Sequence, residues 1–405
     1  MTATKLQPFG VTIFAEMSRL AEEHHALNLG QGFPDFDGPA GIIDAAVAAM
    51  RAGENQYARS RGHVRLVRAI AETRARLYGL AYDPLTEVVV FSGATEGIAA
   101  ALLGLLDPGD EVILIEPFYD SYPACLAMAG AVPRYLTLRF PDFALDLDEL
   151  RRLITDRTRL IVLNTPHNPT GKVFTRAELE GIAALCRERD LWVLADEVYE
   201  HLTFDGATHV PMATLPGMRE RTLTLGSTGK TFSLTGWKIG WATGPRALVD
   251  AAQAAHQFVT YATATPLQVA MAEALTRYTG DYLAAFQAEY AERRAFLLGA
   301  LTAAGFRVAA PAGTYFILAD FTPLFDGPAG RLRPAPALDD RSFARWLVAE
   351  HGVACIPSSV FYAARPEEGR RLVRFAFCKR METLRQSAAR LAALRPAARA
   401  GAGAP

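Results

Sequence analysis

Lysine is scarce in this sequence, and two of its lysines lie close together in one segment. The chain of 405 residues contains 42 lysines and arginines, of which five are lysines: Lys5, Lys172, Lys230, Lys238 and Lys379. A lysine amine can lose its proton and attack a carbonyl carbon, whereas an arginine guanidinium cannot. The segment that holds Lys230 and Lys238 is therefore a candidate for covalent chemistry on a carbonyl group.

Polar and aromatic side chains follow each of five short apolar runs in the middle of the chain. Each run has the length of a strand. The runs lie at 88–91, 112–115, 160–163, 191–194 and 222–225. The polar segments that follow them lie at 92–97, 116–120, 164–169, 196–199 and 226–230. Because ligands of open α/β sheets bind outside the carboxyl ends of the strands, these segments are predicted to form one site.

The side chains that these segments would bring together are those that a pyridoxal phosphate site needs. Lys230 would form the Schiff base with the cofactor. Asp196 would keep the pyridine nitrogen protonated, so that the ring can accept electrons. Tyr199 and Asn168 would lie near the phenolic oxygen of the ring, and Tyr119 would stack on its face.

A phosphate-binding cup and a buried arginine complete the predicted site. The backbone amides of Ala94 and Thr95, at the start of a predicted helix, would meet the cofactor phosphate together with Ser227 and Lys238. Arg374 lies inside an apolar strand pattern, where an unpaired charge is costly. We therefore expect Arg374 to have a functional role.

Nine blocks of the sequence, in order along the chain, resemble the class I, fold-type-I pyridoxal phosphate aminotransferases. The resemblance is to the branch that contains kynurenine aminotransferase/glutamine transaminase K and the bacterial methionine aminotransferases, and it covers nearly the whole chain before the tail. The blocks are LNLGQGFPDFDGP (27–39), NQYARSRG (55–62), SGATEG (92–97), EPFYDSY (116–122), NTPHNPTGKVF (164–174), ADEVYEH (195–201), GSTGKTFSLTGWKIGW (226–241), GTYFIL (313–318) and VRFAFCK (373–379).

The resemblance implies an α/β fold, the pyridoxal phosphate-dependent transferase fold type I. A large domain is expected at 45–281, with a mainly parallel seven-stranded sheet sandwiched by helices. The alternation of predicted strands and helices favours the same architecture. A smaller α+β domain is expected to combine 1–44 with 282–394. The Ala-, Gly- and Pro-rich tail, 395–405, is expected to be disordered.

The matching motifs also imply roles in catalysis and in holding the cofactor. Lys230 would be the Schiff-base lysine, and Lys238, eight positions later, would bind the phosphate. Asp196 would bind the pyridine nitrogen. Lys230, Asp196 and Tyr199 are therefore the expected catalytic residues.

Further matches imply how the substrate is held and how two chains associate. Arg374 resembles the residue that binds the substrate α-carboxylate, with Asn168 and the backbone at Gly32 assisting it and Phe14 lining the substrate site. Tyr57 resembles the tyrosine that reaches the cofactor phosphate of the neighbouring subunit. The active unit is therefore expected to be a homodimer.

The activity that the resemblance implies is transfer of an amino group to a 2-oxo acid by a ping-pong mechanism. The expected donors are neutral hydrophobic, aromatic or sulfur-containing L-amino acids such as methionine, glutamine or kynurenine. Thr95, Phe14 and His63 depart from the kynurenine-type pattern and are closer to the methionine-type branch. The alternative is a pyridoxal phosphate lyase on the same scaffold, acting on cysteine S-conjugates by β-elimination.

Composition argues against other classes of partner and site. Lys+Arg 42 and Asp+Glu 43 give a formal net charge of -1, which offers no overall field for a nucleic acid or an anionic membrane. The four cysteines form no C-x-x-C pair, and no metal site is expected. The N-terminal segment meets charged residues before any long apolar run, so we expect a cytoplasmic protein.

Overall fold

The computed structural model describes residues 2–325 and 339–394, and it confirms an α/β fold built on a seven-stranded sheet. Its strands are β1 (Leu27–Asn28), β2 (Val88–Phe91), β3 (Glu111–Glu116), β4 (Val132–Thr137), β5 (Thr158–Asn164), β6 (Trp192–Asp196), β7 (Thr222–Ser227), β8 (Gly240–Thr243), β9 (Arg307–Val308), β10 (Phe316–Asp320), β11 (Val353–Ala354), β12 (Ile356–Pro357) and β13 (Leu372–Ala376). The large sheet has the spatial order β2-β8-β7-β6-β5-β3-β4. Its strands pair in parallel except β8, which is antiparallel to both neighbours.

Helices cover both faces of this sheet and frame the smaller sheets. They are α1 (Ile13–Glu23), α2 (Ala40–Arg51), α3 (Val64–Tyr78), α4 (Ala94–Leu105), α5 (Ser121–Ala129), α6 (Leu147–Leu153), α7 (Arg176–Glu188), α8 (Thr228–Thr231), α9 (Arg246–Val259), α10 (Thr265–Arg277), α11 (Gly280–Ala304), α12 (Asp340–His351), α13 (Pro366–Gly369) and α14 (Met381–Ala392).

The central strands are apolar because both of their faces are buried. Along β3, Val112 and Leu114 pack into one hydrophobic cluster with α4, α5 and α9. Ile113 and Ile115 point the other way, into a second cluster with α6 and α7. Neighbouring residues of a strand face opposite sides, so a strand covered on both sides buries every side chain. On β7 the small side chains of Thr222 and Thr224 are buried between leucines. The charged and amide side chains of the predicted site are left for the strand ends, where the sheet opens.

Local signals fix the helix boundaries next to this sheet. Thr175 caps α7 and forms a capping box with Glu178, which satisfies backbone groups at the helix start. Gly79 follows α3 with φ +68°, in the left-handed region that glycine adopts readily at a helix end.

A four-stranded sheet, in the order β12-β13-β10-β9, lies beyond the large sheet in sequence. Arg374 is on β13, opposite Leu318 of β10 and Ile356 of β12. Strand β1, near the N-terminus, pairs in parallel with β11. The N-terminal segment is therefore attached to the C-terminal part of the chain.

Two expectations about chain organisation remain predictions. The proposed tail, 395–405, lies outside the described residues, and the division of the chain at 45 and 281 is not tested by the strand order. Within the described ranges, no helix combines the length and the apolarity needed to cross a membrane.

The contact between α4 and α9 gives a stability prediction. A Cβ at Gly104 of α4 would lie 2.0 Å from the backbone oxygen of Ala251 of α9, so Gly104→Ala must push the helices apart. We expect a loss of about 1–3 kcal/mol of stability, measured as a lower midpoint of thermal unfolding by circular dichroism. Gly299→Ala is the matched control, since no atom lies within 4 Å of its added Cβ. That change should be neutral or stabilising by up to about 1 kcal/mol. Equal midpoints for the two variants would contradict the packing account.

Candidate active site

The predicted site residues, with one exception, surround a single cavity of about 410 Å³ at the carboxyl ends of the parallel strands. The predicted residues among its lining are Phe14, Gly32, Ala94, Thr95, Tyr119, Asn168, Asp196, Tyr199, Ser227, Lys230, Lys238 and Arg374. The exception is Tyr57, which is 83% exposed and lies outside this cavity. The fold therefore brings together residues that are more than 300 positions apart in the sequence.

Lys230 lies in the single turn of α8, immediately after β7. Its Nζ donates to the hydroxyl of Tyr315 at 3.0 Å, and Tyr315 donates to the backbone oxygen of Gly32 at 2.5 Å. Burial lowers the pKa of Lys230 to about 8, because a desolvated ammonium is less stable than one in water. A larger share of this amine is therefore neutral, and nucleophilic, than for an ordinary lysine near neutral pH.

Asp196 ends β6 and is held from two sides. Its Oδ2 accepts from the hydroxyl of Tyr122 at 2.7 Å, and its Oδ1 accepts from the amide of Val198 at 3.3 Å. Burial raises the pKa of Asp196, while these hydrogen bonds and the charge of Lys230 act in the opposite direction. A cationic ring nitrogen placed against this carboxylate would further favour its ionised form.

Arg374 lies on the far wall of the cavity with part of its guanidinium free. Nη1 donates to Oδ1 of Asn168 at 3.0 Å, and Nη2 donates to the backbone oxygen of Gly30 at 3.1 Å. Its Nε has no partner among the described residues. The guanidinium lies over the ring of Phe316, 4.0 Å from the centroid, and burial lowers its pKa to about 10. A buried cation of this kind is suited to a ligand carboxylate, which it can hold through two charge-assisted hydrogen bonds.

The start of α4 forms the side of the cavity where the phosphate is predicted to bind. Gly93 precedes the helix with φ +86°, and no side chain caps the helix start, so the first amides are free to bind an anion. A Cβ on Gly93 would lie 2.8 Å from Cε and 3.0 Å from Nζ of Lys238. Glycine thus allows the ammonium of Lys238 to approach the start of the helix. Amide groups and an ammonium are the donors that a phosphate dianion needs.

Two tyrosines contribute to the site although the motifs alone assigned them no role. Tyr315 bonds to Lys230, and Tyr122 bonds to Asp196. Both belong to sequence blocks quoted above, GTYFIL and EPFYDSY, and both are buried. A tyrosine beside a catalytic motif was the available signal, but residue type alone does not distinguish a buried core ring from a hydroxyl aimed into a site.

The donors and acceptors around the cavity fit pyridoxal phosphate. Lys230 could hold the aldehyde carbon, Asp196 the ring nitrogen, and Lys238 with the start of α4 the phosphate. When bound, this cofactor supplies an electrophilic carbon for amines and a ring that accepts electrons from the bond being broken. Tyr119 lines the same cavity and offers an aromatic face to the ring.

Comparison with known proteins agrees with this geometry. The family model "Aminotransferase class I and II" matches residues 24–391. A probable N-succinyldiaminopimelate aminotransferase of Mycobacterium tuberculosis is 47% identical, over 98% of this chain and 100% of that protein. A kynurenine–oxoglutarate transaminase of Dictyostelium discoideum is 41% identical, over 94% of this chain and 93% of that protein. The crystal structure of an Escherichia coli protein with a methionine aminotransferase function superposes with a TM-score of 0.90, at 37% identity, over 97% of this chain and 99% of that chain.

The lowered pKa of Lys230 predicts how the apoprotein takes up its cofactor. Only the neutral amine reacts with an aldehyde, so we expect the uptake rate to rise as the pH increases through about 8 and then to level off. Stopped-flow absorbance with pyridoxal phosphate between about pH 6 and 9.5 measures this rate. Nα-acetyl-lysine, whose side-chain amine is free and in water, gives the pH dependence of the same reaction for an ordinary amine. The Lys230→Arg variant should show no uptake. A rate that follows the Nα-acetyl-lysine profile would contradict the perturbed lysine.

Proposed function

The chain belongs to the class I and II aminotransferase family, and we propose that it uses a neutral hydrophobic, aromatic or sulfur-containing L-amino acid as amino donor. It is an aminotransferase, and enzymes of this family depend on pyridoxal phosphate. The acceptor in this proposal is a 2-oxo acid, and donor and acceptor use the same site in turn. The observation that carries the proposal is the buried Arg374 facing an otherwise largely apolar and aromatic wall.

The charges around the cavity support a neutral substrate side chain. The cations among its described lining residues are Lys230, Lys238 and Arg374. These are matched to the cofactor aldehyde, the cofactor phosphate and the substrate α-carboxylate. A second substrate carboxylate would lack a cation among these residues, and an unpaired buried charge is costly. Asp120, which also lines the cavity, would repel it further.

The roles that we propose for the catalytic residues follow from their positions. Lys230 would hold the cofactor, would give way to the substrate amine, and would then move the proton from the substrate Cα to C4′, the former aldehyde carbon of the cofactor. Asp196 keeps the ring nitrogen protonated, supported by Tyr122. Tyr199 and Asn168 serve the phenolic-oxygen side of the ring, and Asn168 also orients Arg374.

A second donor class is favoured by one finding, the 47% identity to a probable N-succinyldiaminopimelate aminotransferase. That donor carries carboxylates beyond the one on its reacting carbon, so it differs in charge from methionine or kynurenine. Methionine and kynurenine, for which two similar proteins are named, have no additional carboxylate in the side chain. They therefore fit better a cavity whose cations are already matched to the cofactor and to one substrate carboxylate. A donor panel with both kinds of compound separates these substrates.

The proposed activity is tested by the visible absorption of the holoenzyme. L-Methionine without acceptor should lower the cofactor absorption at the rate of half-transamination, and adding a 2-oxo acid should restore it. Methionine, phenylalanine, kynurenine and glutamine are expected to exceed glutamate and N-succinyldiaminopimelate in kcat/KM. Faster reaction with N-succinyldiaminopimelate would replace our donor class. Release of pyruvate and a thiol from a cysteine S-conjugate, in place of a new amino acid, would favour the lyase alternative.

The role of Arg374 is tested by removing the guanidinium from the protein and the carboxylate from the substrate. Arg374→Ala should lower kcat/KM for methionine by about 100-fold or more, since a buried charge-assisted pair is lost. The same variant should react with 3-methylthiopropylamine, which lacks the carboxylate, at nearly the wild-type rate. Equal losses for the acid and the amine would show that Arg374 does not bind the carboxylate.

An exposed apolar patch supports a homodimer as the active unit. The patch consists of Tyr57, Phe258, Val259 and Tyr261, which are 83%, 87%, 61% and 50% exposed. The rings of Tyr57 and Tyr261 pack edge to face, 5.3 Å apart. Exposed apolar patches commonly mark protein interfaces, and we infer that a second copy covers this one. Tyr57 would then reach the phosphate in the partner's site, in agreement with its absence from the cavity of its own chain.

Disrupting this patch should change the oligomeric state. Phe258→Asp is expected to shift the protein from dimer to monomer, because a carboxylate at the centre of an apolar contact is costly to bury. Size-exclusion chromatography with light scattering measures the mass. Val11→Asp is the control, because Val11 is equally exposed, at 86%, and lies apart from the patch in sequence. A monomeric wild type, or a dimer that survives Phe258→Asp, would overturn this assignment.

Thiol chemistry supports a cytoplasmic location for the enzyme. All four cysteines, Cys125, Cys186, Cys355 and Cys378, are free and buried. Proteins that keep their thiols reduced are typical of the cytoplasm. We therefore extend the proposal to this compartment, which cell fractionation would test.

A further inference from the structure

A buried histidine joins the phosphate-binding helix to the segment that carries Tyr57. His256 of α9 is fully buried. Its Nδ1 lies 2.6 Å from Oε1 of Glu96, and its Nε2 lies 3.0 Å from the backbone oxygen of Ser60. A carbonyl oxygen and an ionised carboxylate can only accept hydrogen bonds. Both ring nitrogens of His256 therefore face acceptors, and the form of the ring that satisfies both is the doubly protonated one.

The carboxylate that faces His256 is kept in its ionised form. Burial alone would raise the pKa of Glu96, but hydrogen bonds from His256, Thr260 and the amide of Ser92 lower it overall. The Ser92 amide donates to Oε2 of Glu96 at 2.5 Å. Glu96 thus fixes the turn that leads into α4 while it pairs with His256.

The position of Glu96 creates an electrostatic problem for cofactor binding. It lies in the first turn of α4, immediately after Ala94 and Thr95, whose amides face the predicted phosphate. An isolated carboxylate there would repel a phosphate dianion and offset the favourable helix dipole. A doubly protonated His256 would cancel this repulsion.

We propose that His256 is a positioning residue that neutralises Glu96 and thereby sets the affinity of the active site for the cofactor phosphate. The inference rests on the proposed pyridoxal phosphate site. The other charged side chains on or against α9 include Arg61 and Arg246, which both pair with Asp250. These contacts leave Glu96 and His256 as partners of one another.

The other contact of His256 extends this assignment to the subunit interface. Ser60 belongs to the segment 55–62, which also carries Tyr57. Its hydroxyl accepts from Gln253 Nε2 of α9 at 2.6 Å. The last two residues of helix α9, Phe258 and Val259, belong to the exposed patch defined above. One buried ion pair therefore links the phosphate cup of a subunit to the segment that we assign to its partner's site.

The test compares cofactors with and without a phosphate. Apoenzyme of the wild type and of His256→Gln is titrated with pyridoxal phosphate and with pyridoxal, and binding is followed by tryptophan fluorescence. We expect His256→Gln to raise the dissociation constant for pyridoxal phosphate by about 10- to 100-fold. The dissociation constant for pyridoxal should not change. Gln253→Met is the matched control, because it removes a contact of the same helix with Ser60 but leaves Glu96 paired.

A second variant separates charge from structure. In the double variant Glu96→Gln/His256→Gln, the unpaired carboxylate is gone, so affinity for pyridoxal phosphate should recover most of the loss. The single variant Glu96→Gln, which has no carboxylate at this position, should bind pyridoxal phosphate at least as tightly as the His256→Gln variant. This result is expected even where the His256→Gln variant folds poorly. Equal losses for pyridoxal and pyridoxal phosphate, or no recovery in the double variant, would overturn the inference. A wild-type chain that binds neither compound would overturn the proposed function, and this inference with it.

Discussion

Desolvation of charged side chains in one cavity is the physical condition on which the active site depends. Burial lowers the pKa of Lys230 to about 8, raises the pKa of Asp196, and lowers the pKa of Arg374 to about 10. In each case the charged form is made less stable than it would be in water. A ligand that supplies the missing partner therefore gains more from the contact than it would at an exposed surface. The same condition makes the lysine amine a nucleophile near neutral pH.

The fold maintains this condition by placing each group on a rigid element. Asp196 ends β6, Lys230 follows the adjacent strand β7, and Arg374 lies within β13, between two neighbouring strands. Tyr315 and Tyr122 then fix the amine and the carboxylate from outside the strand ends. Groups that are buried and hydrogen-bonded in this way need little reorganisation when charge develops during the reaction.

Much of this arrangement could be predicted from sequence because strand ends carry a strong local signal. The five apolar runs all became strands of the large sheet, and the polar segments after them form one cavity. The residues alone did not reveal β4 or β8. Strand β4 is a partly exposed edge strand that contains Pro133 and Arg134, and Pro is confined to such edges.

The pairing of Glu96 with His256, which lie 160 residues apart, depends on tertiary packing and leaves no local pattern. The role that we propose for Tyr57 depends on a second chain, which the sequence of one chain does not show.

The balance of charge extends this reasoning to the substrate. Three cations, Lys230, Lys238 and Arg374, line the cavity, opposed there by Asp196 and Asp120. Glu96 and His256 lie just behind the predicted phosphate cup and pair with each other. The cofactor phosphate and one substrate carboxylate bring the negative charge that this excess of cations can accept.

The rings of Phe14, Phe33 and Phe316 line the remaining wall and offer no further ionic partner. An enzyme built this way binds the α-carboxylate of its donor strongly and selects the side chain by shape and apolar contact. Contacts of that kind discriminate among neutral side chains by only about 1–3 kcal/mol each, so a group of related donors, rather than a single compound, is the physical expectation for this cavity.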